Sequence, residues 1–196
     1  MRIAMVLGGA VTLPYDVTEY TQSHVYHEVV ACNEAGVWWK GDLSCWSTLH
    51  PEKMRGWLSQ RADAGLTTPR IVNVFANRKH RAALVKLEEE YGTKVVQTPI
   101  NWGKGSGSSG LFALKAAFEV VDCDAAVLCG IPMSPQKNMF RLQSTEWNPR
   151  AYRKGWTHIP PDIRSRVRSM SGWTKEQFGY PIDFPVRTLD SPARQC

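Results

Sequence analysis

Short apolar runs alternate with longer amphipathic stretches along the first 130 positions of the chain. "RIAMVL" is continuously apolar and ends at Gly8-Gly9, the pattern of a parallel strand buried on both faces. "VYHEVVAC" (Val25 to Cys32) predicts a second strand, with Asn33 just past its end, and the more alternating "LSCWSTL" (Leu43 to Leu49) a third. Pro51 suits the first turn of a helix running to about Ala64, where a missing N–H costs nothing. "RIVNVF" (Arg70 to Phe75) is β-branched. Asn77 can cap the helix after it, which carries Leu84, Leu87 and Tyr91 at helical spacing and stops at Gly92. "KVVQT" predicts a fifth strand. A glycine-serine loop and a helix with Leu111, Leu114, Phe118 and Val121 on one face then lead into "AAVLCGI" (Ala125 to Ile131), a sixth.

This alternation predicts an α/β, Rossmann-like three-layer fold with a mainly parallel sheet of about six strands. Beyond Met133 the pattern dissolves into Trp147, Trp156, Trp173, several prolines and scattered arginines. That composition is too aromatic for a disordered tail. It predicts short helices and ordered loops packed over the carboxyl end of the sheet, where open α/β folds bind ligands. The length of 196 residues suits one domain, with a core over 1–135 and an extension over 136–196.

Composition narrows the picture. No apolar stretch approaches the roughly 18 residues needed to span a membrane. The five cysteines include no CxxC, and three sit inside apolar runs, the usage of a reduced intracellular protein without a disulfide framework or a zinc site. Residues 141–196 hold ten Lys/Arg against five Asp/Glu, which leaves fourteen against thirteen for the first 140. A basic segment on a near-neutral body can face nucleic acid or a phosphate-bearing ligand, or be a solvated surface.

The candidate chemistry gathers at predicted strand ends. "GSGSSG" (Gly105 to Gly110) matches GxGxxG literally, but the dinucleotide fingerprint belongs after the first strand, with an acid about 20 residues on. No Gly-Lys-Ser/Thr closes it as a phosphate-binding P-loop either. Two readings remain. One is a flexible connection. The other makes Ser108, Ser109 and Gly110 the first turn of a helix, offering N–H groups and hydroxyls to an anion. The helix starts immediately after the serines, which favours the second. Gly8-Gly9 permits close backbone approach or simply a tight turn, and Asn33 can read a base or ribose or cap a turn. Asp42 and His50 in "GDLSCWSTLHPEK" are further candidates, a lone His being more often structural.

With "ACNEAG" and "SSGLFALKAAFEVVDCDAAVLCGIPM" placed, the chain resembles the sialyltransferase-like glycosyltransferase superfamily. That group includes the Campylobacter lipooligosaccharide sialyltransferases and motility-associated glycosyltransferase-like proteins. The ordered features are Gly8-Gly9, Cys32-Asn33, Ser108-Ser109-Gly110 and Cys129-Gly130-Ile131. "TLHPEKMRGWLSQR" and "VRSMSGWTKEQFGYP" look most like small phage-encoded members, which implies the host cytoplasm or association with a virion. Two positions depart from the family: Gly-Gly-Ala-Val stands for its Asn-Gly-Pro-Ser, and Gly130-Ile131-Pro132 for its Gly-Ile-Asp.

The resemblance implies nucleotide contacts by Gly8, Gly9, Asn33, Ser109, Gly110, Gly130 and Ile131, with Ser108 beside them. It implies a nucleotide or nucleotide-sugar ligand and no other cofactor, and the lack of a His/Cys cluster at zinc spacing predicts no metal. Transfer to an acceptor hydroxyl needs a general base, for which His158 has the best position after the sixth strand, and donors on the leaving phosphate. Tyr152, Arg166 and Arg168 are the candidates for those donors. The alternative is a catalytically inactive binding module, virion-associated or accessory, whose basic C-terminal part contacts a partner protein or nucleic acid.

Overall fold

The structure is a computed structural model that describes residues 1–76, 80–100, 102, 108–140 and 149–186. Its centre is one seven-stranded sheet, all parallel, in the order β5-β4-β3-β2-β1-β6-β7. The strands are β1 (Ile3–Leu7), β2 (Glu28–Cys32), β3 (Cys45–Thr48), β4 (Ile71–Phe75), β5 (Lys94–Thr98), β6 (Ala125–Cys129) and β7 (Val167–Ser169). The chain builds outward from β1 to β5, then returns to the other side of β1 with β6. The strand order therefore reverses between β1 and β6, which makes a crevice at their carboxyl ends.

Period-two alternation divides the core. Ile3, Met5, Leu7, Val127 and Cys129 face one layer, made by α1 (Leu13–Ser23), α3 (Pro51–Asp63) and α4 (Arg81–Tyr91). Ala4, Val6, Ala126 and Leu128 face the other, where α5 (Ser109–Glu119) lies. Small residues meet there: Ala113, Ala116 and Ala117 of α5 belong to the same cluster as Ala4 and Ala126, so the helix can sit close to the central strands.

Local signals explain several boundaries. Pro51 opens α3, and Gly92 ends α4 with φ +64°, its N–H bonded to the Glu88 carbonyl. The Asn77 cap and the start of the glycine loop fall outside the described residues. The single apolar face expected for α5 proved too narrow, because Gly110 through Phe118 are all buried. The reason is the C-terminal region, whose Trp156, Ile159 and Phe178 join the α5 cluster and cover its outer side.

That region holds α6 (Arg150–Trp156), α7 (Pro161–Arg164) and α8 (Gly172–Phe178). It also adds β7, one strand more than the six expected. It thus extends the sheet laterally, and only part of it packs over the carboxyl edge. There Thr174 donates its N–H to Pro132 and its hydroxyl to the Ile131 carbonyl, both just past β6. Between β2 and β3, α2 (Ala35–Trp38) is anchored by Arg61, whose buried guanidinium donates to the carbonyls of Gly36, Trp39, Gly41 and Thr67.

Candidate functional site

Because every strand is parallel, the segments after β1, β2, β3 and β6 emerge on one edge, and α5 begins there too. Two glycines let the central segments cross. Gly8 donates to the Cys129 carbonyl at 2.8 Å and Ala10 to the Gly130 carbonyl at 3.1 Å. A Cβ on Gly8 would lie 2.3 Å from the Gly130 oxygen, so no side chain fits. Gly130 itself has φ +67°, a conformation glycine adopts freely. Ile131 then packs against α5, where a Cβ on Gly110 would come within 2.9 Å of its Cγ2. The structure thus brings Gly8, Gly110, Gly130 and Ile131 together. Gly9 is adjacent, its carbonyl accepting from Met139 N–H at 2.8 Å.

Asn33 ends β2 with φ +50°, an uncommon conformation outside glycine that a short amide side chain tolerates. Its turn is fixed from beneath: the carbonyl accepts from the Trp46 indole at 2.7 Å and from Gly36 N–H at 3.1 Å. Its Oδ1 accepts from the Thr48 hydroxyl at 2.8 Å, and that hydroxyl in turn accepts from His50 N–H at 2.9 Å. Asn33 Nδ2 has no partner among the described residues. His50 sits beside this chain as the N-cap residue of α3, its ring facing Glu52 at 3.4 Å. Met133, also at positive φ (+48°), lies just past β6 on the same edge. Of the three non-glycine residues at positive φ among the described residues, Asn33 and Met133 lie on this edge and Asp122 on the opposite one.

At the start of α5 the serines divide their work. Ser108 is the N-cap: its Oγ accepts from Leu111 N–H at 3.2 Å and from the Trp156 indole at 3.2 Å. It is buried and its oxygen is already engaged, so the expectation that it faces an anion is corrected. Half-buried Ser109 and buried Gly110 keep N–H groups without a partner among the described residues, as the first turn of a helix does. Gly105 to Gly107 fall outside the described residues.

The remaining candidates are not gathered here. Asp42 precedes β3 on the opposite, amino edge, where its Oδ1 accepts from the Thr67 hydroxyl at 2.9 Å. Arg166 is also on the amino edge. It donates to the carbonyls of Asp162 and Asp124, pairs with the Asp162 carboxylate and stacks over Phe118. Arg168 is held by Asp183 and by the carbonyls of Ser165 and Val167, at the outer edge of the sheet. Both guanidiniums are spent on the fold, which corrects their reading as phosphate ligands. Tyr152 is exposed on α6, and His158 is exposed in the turn that follows it. α6 is tied to the site through Trp156 on Ser108 and through Arg153, which donates to the Met133 carbonyl at 2.9 Å.

An open groove of about 690 Å³ lies elsewhere, along β7, lined by Arg164, Arg168, Gln177, Phe178, Tyr180 and Ile182. It contains none of the strand-end groups, so the converging backbone and not the groove marks the site.

Sequence reasoning missed Asp16 and Ser171. Asp16, in the first turn of α1, accepts from Gly130 N–H at 2.8 Å, from the Ser171 hydroxyl at 2.7 Å and from the Thr12 hydroxyl at 3.2 Å. Burial pushes its carboxyl above the ordinary range, and these three bonds only partly oppose that. An acid at the third or fourth position of a helix was the one local signal available, and it says nothing of partners more than a hundred residues away.

Among solved structures, the chain is similar to the sialyltransferase CstII from Campylobacter jejuni in complex with cytidine-5'-monophosphate. The TM-score is 0.67 at 10% identity, over 96% of this chain and 88% of that one. It is similar also to the same enzyme with a trisaccharide acceptor and CMP, with a TM-score of 0.62 at 9% identity, over 97% and 88%. No protein-family model matches the sequence, and no curated protein does. The chain therefore has the sialyltransferase-like fold that its strand-end motifs suggested, across nearly its whole length.

Proposed function

We propose that the carboxyl edge binds a nucleotide-sugar, with CMP as the nucleotide part, and that the protein transfers the sugar to an acceptor hydroxyl. The observation that carries this reading is the joint one. A fold shared over 96% of the chain with an enzyme solved holding CMP accompanies an edge where Gly8, Gly110 and Gly130 let the ends of β1 and β6 and the start of α5 converge.

In this reading the free N–H groups of Ser109 and Gly110 receive the leaving phosphate, aided by the positive end of the α5 dipole. Asn33 Nδ2, held by the Thr48 bond on its other atom, donates to the base or ribose. The acceptor oxygen attacks the anomeric carbon as the bond to the phosphate oxygen breaks. The nucleotide leaves with the bonding electrons, and the acceptor proton passes to His158. Donors fixed before the reaction act most strongly on such developing charge. The exposed His158 reaches the edge only through α6, whose Trp156 and Arg153 anchor it to Ser108 and Met133.

A thermal-shift titration with CMP, CDP, UDP, GDP and ATP tests the reading. CMP should raise the melting temperature by mass action, roughly as 2.7 kcal/mol of stabilisation at a hundredfold excess over Kd. No response to any nucleotide overturns it. A His158→Ala variant should keep the CMP response and lose transfer, and retained transfer removes His158 as the base.

A further inference from the structure

Asp16 is 5% exposed, and all three of its hydrogen bonds converge on one oxygen, Oδ2. The Thr12 and Ser171 hydroxyls that reach it also touch each other, at 3.2 Å. Oδ1 has no partner among the described residues, and no cation pairs with the carboxylate there. A buried carboxylate without a counter-ion is costly to keep. The donors it collects come from three separate parts of the chain: the start of α1, the end of β6 and the entry to α8.

Each donor belongs to a tight spot. Gly130 is clamped from both sides, its N–H donating to Asp16 and its carbonyl accepting from Ala10 N–H, while a Cβ there would lie 2.7 Å from the Cβ of Leu13. Ser171 precedes Gly172, which has φ +62° and packs so closely on Pro132 that a Cβ would come within 2.4 Å. Thr174 then takes the carbonyls of Ile131 and Pro132. The Asp16 side chain joins the start of α1, the β6 end and the C-terminal region by hydrogen bonds.

We propose that Asp16 is a positioning residue. It sets the Gly130 peptide beneath the glycine crossing and, through Ser171, locks the C-terminal region in register with the site. A residue that merely fills the core would, when altered, loosen the whole sheet alike. A positioning residue loosens its own edge first, since local opening follows local contacts.

The consequence for ligand binding rests on the nucleotide reading above, but the consequence for the backbone does not. Amide hydrogen exchange in the free protein reads the second. Asp16→Ala should speed exchange at Gly130, Ala10 and Thr174 by at least about tenfold relative to amides of β4 and β5, because it takes the acceptor from the buried Gly130 N–H and from two part-buried hydroxyls. Asp16→Asn, which keeps an acceptor of the same size, should restore protection to within about threefold. In a parallel CMP titration, Asp16→Ala should weaken binding by about tenfold and Asp16→Asn should recover most of it.

Uniform acceleration across the sheet, or no rescue by Asn, overturns the proposal. If Asp16→Ala does not fold, Ser171→Ala decides. It should accelerate exchange around residues 130–134 and 171–174 while β4 and β5 stay protected, and unchanged exchange there overturns the proposal. A wild-type protein that ignores CMP refutes the nucleotide reading and leaves the exchange result to judge Asp16 by itself.

Discussion

Each edge of the sheet holds a buried carboxylate, Glu28 on β2 and Asp16 on α1, and the two are treated in opposite ways. At the amino edge, Glu28 accepts from Arg2 at 2.6 Å and 3.0 Å and from Arg70 and the Ser44 hydroxyl, so two cations answer one buried charge. Burial pushes its carboxyl up, but Ser44, Arg2 and Arg70 outweigh that and leave it below the ordinary range. Around it, Asp124 accepts from Arg2 N–H at 2.6 Å and Arg166 brackets Asp162. At the carboxyl edge, Asp16 is answered by two hydroxyls and one N–H, and its neighbours include Asn33 and Met133 at positive φ. One edge is stapled by charge. The other keeps a glycine crossing and donors without a partner among the described residues. The contrast teaches where stability and function would separate in a fold whose strands all run the same way: under the proposed reading the ligand lies at the carboxyl edge, which leaves the amino edge to be fastened by charge.

The largest effect expected from this contrast is on stability. Glu28→Gln leaves two arginines facing a neutral amide and should lower stability by about 2 kcal/mol. That is less than a fully buried pair would lose, because both arginines are partly exposed. For a chain of this size the melting temperature should fall by roughly 4–8 °C. The CMP response measured in the same thermal scan should stay as in wild type. If it falls together with stability, the two edges are not separable.

The next effect runs the other way. Asn33→Gly relieves a positive φ, worth about 1 kcal/mol, and takes away the acceptor of the Thr48 hydroxyl, a loss of about the same size. Stability should therefore hardly change, with a melting temperature within about 2 °C of wild type. CMP affinity, read by calorimetric titration, should drop about tenfold with the lost Nδ2 donor. An unchanged affinity takes Asn33 out of the site.

Which of these residues could be foreseen follows from the range of the forces that place them. "KVVQT" is a strand at the positions expected, and Pro51 and Gly92 bound their helices, because period and punctuation are local. α1 carries Leu13, Val17 and Tyr20 at helical spacing behind the glycine turn, a local pattern of the same kind. β7 is three residues with an arginine in the middle, too short and too polar to show as a strand until β6 pairs with it. Gly8, Asn33 and Gly110 were visible as strand-end and helix-start residues. The arginines misled because their charge is local information and their partners are not: Asp183 and Phe118 claim Arg168 and Arg166 only once the chain has folded. Asp16 was invisible for the same reason, its donors at Gly130 and Ser171 lying 114 and 155 positions away.

The smallest effect, and the sharpest test of the contrast, is the sign of two pH dependences. The carboxyl of Glu28 lies lower in the fold than its ordinary value of 4.5. The stability it contributes is therefore present above pH 4.5 and is lost as pH falls through its folded value, because over that range the unfolded chain binds a proton that the folded carboxylate does not. Asp16 lies above its ordinary value of 3.8. Its contribution is fully present below pH 3.8 and is lost as pH rises through its folded value, because ionising it in place costs more than ionising it in the unfolded chain. Urea unfolding of wild type, Glu28→Gln and Asp16→Asn at a series of pH values from about 3 to 7 separates the two. The stability of wild type minus that of Glu28→Gln should rise with pH, and wild type minus Asp16→Asn should fall. Two differences of the same sign would mean that the carboxylates are held alike, and that the carboxyl edge hides a cation answering Asp16 as the arginines answer Glu28.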